Sequence, residues 1–170
     1  ALQETDAFDP AAVSLTAQRD GDDFVLSGSK RMVLDALSAD AFVVIARSSG
    51  STGEFAGLSA LLVPADADGL SVARCEMVDS RQCGALSLDK VRVPATALMV
   101  GEGEAWAQLE RCLDTVNVGL ASELLGLSME AFERTMDYIR ERKQFGQVIG
   151  SFQGLQHRAA ELFAELELAK

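Results

Sequence analysis

Up to about Val100 the apolar residues come in short runs with β-branched members, each bounded by Gly, Asp, Ser or Pro. That pattern predicts strands rather than helices. Six are expected, near residues 15–19, 24–29, 42–47, 58–63, 70–75 and 86–93. Asp20-Gly21-Asp22 has the composition of the first hairpin's turn, and Gly50-Ser51-Thr52-Gly53 that of a flexible loop. In the last run Leu86 and Leu88 alternate, then Val91 and Val93 alternate in the opposite phase. Side chains on a strand repeat every two residues, so the change of phase predicts a bulge or bend at Asp89-Lys90, and Pro94 ends the strand.

After Gly101-Glu102-Gly103 the period becomes helical, with Trp106, Leu109, Leu113, Val116, Leu120, Leu124, Leu127 and Ala131 three or four apart. Val118, Ala121, Leu125, Phe132 and Met136 lie off that line, so more than one side of this helix needs cover. Its end is expected near Gln144-Phe145-Gly146: Arg140, Arg142 and Lys143 suit the negative end of the helix dipole, and Gly146 can take a left-handed cap. A second helix is expected after Ser151, with Phe152, Leu155, Ala159, Leu162, Phe163, Leu166 and Ala169 along one face. The change of period divides the chain into residues 1–100 and 101–170. The helical pattern runs unbroken into Lys170 and the opening lacks a start methionine, which suggests a piece of a longer protein.

Charge marks no such division, because the net charge is −6 over residues 1–100 and −5 over 101–170. The total of −11 argues against a partner with a phosphate backbone and leaves nucleic acid out. No apolar run approaches the roughly 20 residues of a membrane span, and Ala1-Leu2-Gln3-Glu4 does not open like a secretory signal, so a soluble, cytoplasmic protein is expected. Cys75, Cys83 and Cys112 lack C-x-x-C spacing and read as three buried thiols. With His157 the single histidine, and Asp20, Asp22 and Asp23 without calcium-loop spacing, no metal site is expected.

Self-contained catalytic motifs are absent from the sequence: there is no G-x-G-x-x-G, P-loop or G-x-S-x-G. One group carries chemistry, namely Arg140, Arg142, Lys143, Gln144 and Phe145, followed by Ser151, Phe152 and Gln153. Guanidinium is a planar bidentate donor and amides read ring edges, so these residues suit a phosphate with an adjoining heterocycle. Basic residues also favour helix C-termini whatever the function, and the two readings stand side by side.

The segment from Tyr138 through Arg142, Gln144, Phe145 and Gly146 to Ile149, Phe152 and Gln153 resembles the R-x-Q-F-G…I-x-x-F-Q signature of the acyl-CoA dehydrogenase family. Ala1-Leu2-Gln3-Glu4 resembles the A-L-T-E that opens that family's middle domain, and Val91-Arg92-Val93-Pro94 the V-x-V-P that closes it. Between them, Thr16 to Lys30 resembles its first hairpin, and Ala39-Asp40 with Val44-Ile45-Ala46-Arg47 the next strand. The resemblance implies an α+β fold: an antiparallel β-barrel or sandwich-like middle domain, then long helices of an incomplete up-and-down helical bundle. It also implies flavin adenine dinucleotide (FAD) as cofactor, an acyl-CoA substrate and a homo- or hetero-tetramer.

By the same resemblance Arg142, Gln144, Phe145 and Gln153 contact the dinucleotide of a neighbouring subunit, and Gln3, Met32 and Leu34 stand at flavin-contacting positions of the middle domain. The family's aromatic is here Met32, its hydroxyl residue Leu34, and its usual Thr is Gln3. Asp114 is the implied polar contact for substrate, and Asn117 replaces a common Arg. The implied reaction removes the acyl α-proton with a carboxylate and passes the β-hydrogen to the flavin as hydride. A family subset places that carboxylate on the first long helix, where this chain has Val116, so no catalytic residue is expected within it. The alternatives are a non-catalytic partner subunit of a heteromeric dehydrogenase, and a related acyl-CoA oxidase or flavin monooxygenase of the same fold.

Overall fold

The computed structural model describes residues 1–79 and 81–170. All six expected strands are present: β1 Thr16–Asp20, β2 Asp23–Leu34, β3 Ala41–Arg47, β4 Leu58–Pro64, β5 Leu70–Cys75 and β6 Cys83–Pro94. They form one sheet in the order β4-β3-β1-β2-β6-β5. Every pairing is antiparallel except that of β1 with β3, a parallel contact at Thr16 and Arg47 that makes the sheet mixed. The architecture is α+β, with this sheet followed by two long helices.

Residues on one sheet face, including Ala17, Phe24, Leu26, Val44, Val63, Leu86 and Val91, join one buried cluster, and Leu70 and Val72 of the edge strand β5 pack against it. Both edges of the sheet thus serve the same core, so the sheet curls around it. The opposite face of β3 and β4 is also covered, because Ile45, Leu58 and Ala60 pack with Val13 and Ala105. Burial on both faces accounts for the unbroken apolar Val44–Ala46 of β3, while Val43 on the opposite face stays exposed. At its end the buried Arg47 donates to the carbonyls of Val13 (2.9 Å), Ala56 (3.0 Å), Glu54 (2.8 Å) and Ala11 (3.3 Å), tying two loops to the strand.

The bulge foreseen in the last strand is present. Leu26 pairs with Val91 and Gly28 with Leu88, so Asp89 and Lys90 together oppose Ser27, and Lys90 takes a φ of 54°. Gly21, at φ 63°, sits in the two-residue turn between Asp20 and Asp23, where glycine's freedom is needed. A second irregularity was not foreseen: Lys30 pairs with Leu86 and Val33 with Gly84, so Arg31 and Met32 oppose Ala85 alone.

Helix α1 spans Trp106–Glu141 and α2 Gln153–Ala169. The chain divides into compact units Ala1–Glu110 and Arg111–Lys170. Within the second, α1 and α2 run antiparallel, with Phe132 and Phe163 rings 6.3 Å apart, and leave an open apolar groove of about 650 Å³ lined by Met136, Ile139 and Ala159.

Two expectations are corrected. Helix α1 stops at Glu141, and the next residues form a small hairpin, β7 Lys143–Gln144 against β8 Gln147–Val148. Gly146 (φ 81°) is therefore not a helix cap; with Phe145 (φ 55°) it makes the two-residue turn, whose twist requires positive φ at both positions. Of the three cysteines Cys83 alone is buried, Cys75 being half-buried and Cys112 exposed. The register of β5 on β6, which spacing does not reveal, sets the environments of Cys75 and Cys83, and Cys112 lies on an exposed side of α1.

Candidate functional site

All the expected site residues but Asp114 fall on two surfaces, Gln3, Met32 and Leu34 in the first unit and Arg142, Gln144, Phe145 and Gln153 in the second. On the first, the period of β2 puts Lys30 on the inward face with Phe24 and Leu26, and Lys30 is fully buried. A buried ammonium needs partners. Its Nζ donates to Glu4 Oε1 at 2.6 Å and to the Leu2 carbonyl at 3.1 Å. Glu4 also accepts from the Ser14 hydroxyl (2.6 Å) and the backbone N–H groups of Ser14 (2.8 Å) and Leu15 (3.0 Å).

Burial lowers the Lys30 pKa against the pull of Glu4. For Glu4, burial acts to raise the pKa, but the Lys30 and Ser14 hydrogen bonds, the Lys30 charge and the Leu15 N–H outweigh it and hold the carboxyl below its ordinary value.

This pair fixes the opening segment beside the second bulge. The Arg31 N–H donates to the Gln3 carbonyl at 2.7 Å, while Gln3 Nε2 turns back to the Thr5 and Asp6 carbonyls. Met32 follows at φ 54°, and the extra residue leaves Arg31 and Met32 both outward before Val33 returns to the core. Met32 and Leu34 are exposed, so Gln3, Met32 and Leu34 gather at one end of β2. No hydroxyl stands at positions 32 or 34, and the surface offers backbone groups and apolar side chains.

The second surface is the connector between α1 and α2. The Arg142 N–H continues the helical ladder to the Tyr138 carbonyl (2.9 Å), and the Arg142 carbonyl accepts from Ile149 (2.8 Å), closing the hairpin's base. The Ser151 hydroxyl donates to Val148 O at 2.6 Å and Gln156 Nε2 to Gly150 O at 3.0 Å, which ties the connector to α2. Phe145 lies at the hairpin tip, 89% exposed, edge-on to Phe152 with ring centres 6.2 Å apart. Arg142, Gln144 and Gln153 are also exposed, so the fold brings all four expected dinucleotide contacts onto one short segment.

The two neighbouring arginines differ. Arg140 pairs with Asp137 one turn back (3.3 Å), whereas the Arg142 guanidinium has no hydrogen bond or ion pair among the described residues. Arg142 is thus an uncommitted bidentate donor beside two amides and an exposed ring, a donor set that fits a diphosphate and its adjoining heterocycle.

Asp114 is not brought there. It is exposed on α1 with Val116 and Asn117, roughly 40 Å along the helix axis from Arg142 at 1.5 Å per residue. The Lys30–Glu4 pair was missed by sequence reasoning, although a charge in phase with Phe24 and Leu26 is the signal that finds it.

Comparison with known proteins assigns both stretches of the chain to one family. The model of the acyl-CoA dehydrogenase middle domain matches residues 3–91, and that of the acyl-CoA dehydrogenase C-terminal domain matches residues 103–170. The chain belongs to the acyl-CoA dehydrogenase family. It is 33% identical to the short/branched chain specific acyl-CoA dehydrogenase of Bos taurus, over 99% of this chain and 40% of that protein. It is 36% identical to the acyl-CoA dehydrogenase FadE12 of Mycobacterium tuberculosis, over 100% of this chain and 45% of that one. Among solved structures, a glutaryl-CoA dehydrogenase from Mycobacterium smegmatis in complex with FADH2 superposes with a TM-score of 0.84 at 28% identity, covering 99% of this chain and 43% of that one. The chain therefore spans less than half the length of these relatives.

Proposed function

We propose that the full-length protein carrying this chain is an FAD-dependent acyl-CoA dehydrogenase that introduces an α,β double bond into an acyl-CoA thioester. The observation that carries this reading is the α1–α2 connector, where Arg142, Gln144, Phe145 and Gln153 present an uncommitted guanidinium, two amides and a ring together. Arg142 would hold the diphosphate, the amides would orient the dinucleotide, and Phe145 would cover an apolar face of it. When bound, the flavin supplies the acceptor for the substrate's β-hydrogen.

At the other surface, Lys30 and Glu4 hold the Gln3 backbone and the Met32 bulge in place, and the backbone groups there take the part of the missing hydroxyl. Asp114 is the proposed polar contact for acyl-CoA. Since Val116 cannot abstract a proton, the general base belongs to another part of the full-length protein. A domain division at 100/101, a tetramer in which the connector meets a neighbouring subunit's dinucleotide, and a cytoplasmic location belong to the same proposal. The relatives' names and the FADH2 complex support the dehydrogenase activity and the flavin.

A second reading, a non-catalytic partner subunit, is favoured by one observation: apolar Met32 and Leu34 leave no side-chain hydrogen bond for the flavin. Anaerobic addition of straight, branched and dicarboxylic acyl-CoAs to the full-length protein separates the two. Bleaching of the flavin absorbance by any of them supports the dehydrogenase, whereas retained flavin that none of them bleaches rejects it in favour of the partner.

A further inference from the structure

Cys75 ends β5 and Cys83 begins β6, and the register sets them directly opposite each other. Directly opposed residues of an antiparallel pair have Cα atoms about 4.5 to 5.5 Å apart, inside the range of about 4.4 to 6.8 Å that a disulfide spans. The two thiols differ in access, Cys83 being fully buried and Cys75 half-buried. Burial, then the neighbouring Cys75 thiol, pushes the Cys83 thiol up from its ordinary value. On its other side Cys83 pairs with Leu34, so the thiols lie in one row across the sheet with a proposed flavin-contacting position. The function described above uses neither thiol.

We propose that Cys75 and Cys83 form a dithiol site that a small-molecule disulfide oxidises to an intrachain disulfide. Cys75, the accessible member, gives up its proton, and its thiolate attacks one sulfur of the reagent. The reagent's S–S bond breaks, a mixed disulfide forms on Cys75, and the first thiolate leaves and takes up a proton. The Cys83 thiolate then attacks the Cys75 sulfur, forming the cross-strand bond and displacing the second thiol. Two protein thiols lose two electrons and two protons, and the reagent becomes two thiols. Cys83 needs no path to solvent, because the sulfur it attacks belongs to its cross-strand neighbour. Its raised pKa makes the closing step faster as the pH rises.

The bond would fasten the end of the edge strand β5 to the start of β6, one strand away from Leu34. This site does not depend on the flavin assignment, and its test does not require activity.

The test treats the reduced, folded full-length protein with oxidised glutathione, alkylates the remaining thiols under denaturing conditions and maps the peptides by mass spectrometry. The expected product is a Cys75–Cys83 linked peptide that separates on reduction, formed faster at higher pH. In Cys83→Ser, checked for native circular dichroism, the glutathione adduct on Cys75 should persist, because nothing displaces it. Alkylation of both Cys75 and Cys83 in the wild type, no adduct on Cys75 in Cys83→Ser, or a wild-type adduct on Cys75 that never closes would each overturn the proposal.

Discussion

The two units of the chain use similar apolar patterns to opposite effect. Among the described residues every buried hydrophobic lies in Ala1–Glu110 except Ile139, whereas along α1 Val118 is 69% exposed and Leu124 61%. A strand in a sheet finds its neighbours within the same sheet, and the curled sheet closes on its own inner face. A helical stripe needs another helix, and α1 has α2 against only its last turns, from about Met129 to Ile139. The same kind of apolar spacing that fills a core in one unit therefore leaves an exposed apolar stripe in the other.

The largest effect that tests this contrast is a pair of truncations. Phe24→Ala, at a fully buried position, should cost about 3 to 5 kcal/mol in chemical denaturation of the chain, and Leu124→Ala should stay within about 0.5 kcal/mol. A comparable cost at both positions would break the comparison. A large cost for Leu124→Ala in the full-length protein alone would sharpen it, by showing that the stripe is covered there.

Next in size is the charge inside the β unit. Lys30→Met leaves the Glu4 carboxylate without its cation and should destabilise by about 3 kcal/mol at neutral pH. Because the folded Glu4 pKa lies below its ordinary 4.5, this carboxylate's contribution is fully present above that value and is lost as the pH falls through the lower, folded one. Denaturant midpoints measured on acidification should fall more steeply in the wild type than in Lys30→Met. Parallel pH profiles would mean that the pair is not the stabilising contact.

The smallest effect concerns the connector. Gly146→Ala places a side chain at φ 81° and should cost about 1 kcal/mol locally, read as faster amide exchange of Ile149, whose N–H closes the hairpin. An unchanged Ile149 protection would remove the strained turn from the account.

Much of the β unit was legible because alternation is a direct readout of which way a side chain faces. The phase change between Leu88 and Val91 disclosed one bulge. The bulge at Met32 stayed hidden because the inward residue before it is a lysine, and a charge does not register in an apolar count. In the connector, the residue types of Arg142, Gln144, Phe145 and Gln153 carried the chemistry in sequence, but the hairpin that gathers them did not show. Three basic residues before Gly146 read equally well as a helix end, and a phenylalanine at positive φ is not foreseen from propensity. The pairing of Cys75 with Cys83 depends on register between strands, which neither spacing nor composition encodes.

The proposed grip on the dinucleotide falls to Arg142, left uncommitted beside an engaged Arg140. It is tested most directly by flavin retention of full-length Arg142→Ala and Arg140→Ala proteins during dialysis, with bound flavin read by absorbance. Loss of a charge-assisted hydrogen bond is worth about 1.5 to 3 kcal/mol, so Arg142→Ala should weaken flavin binding by roughly ten- to a hundredfold while Arg140→Ala stays near the wild type. Equal loss in the two variants, or a greater loss in Arg140→Ala, would contradict the assignment.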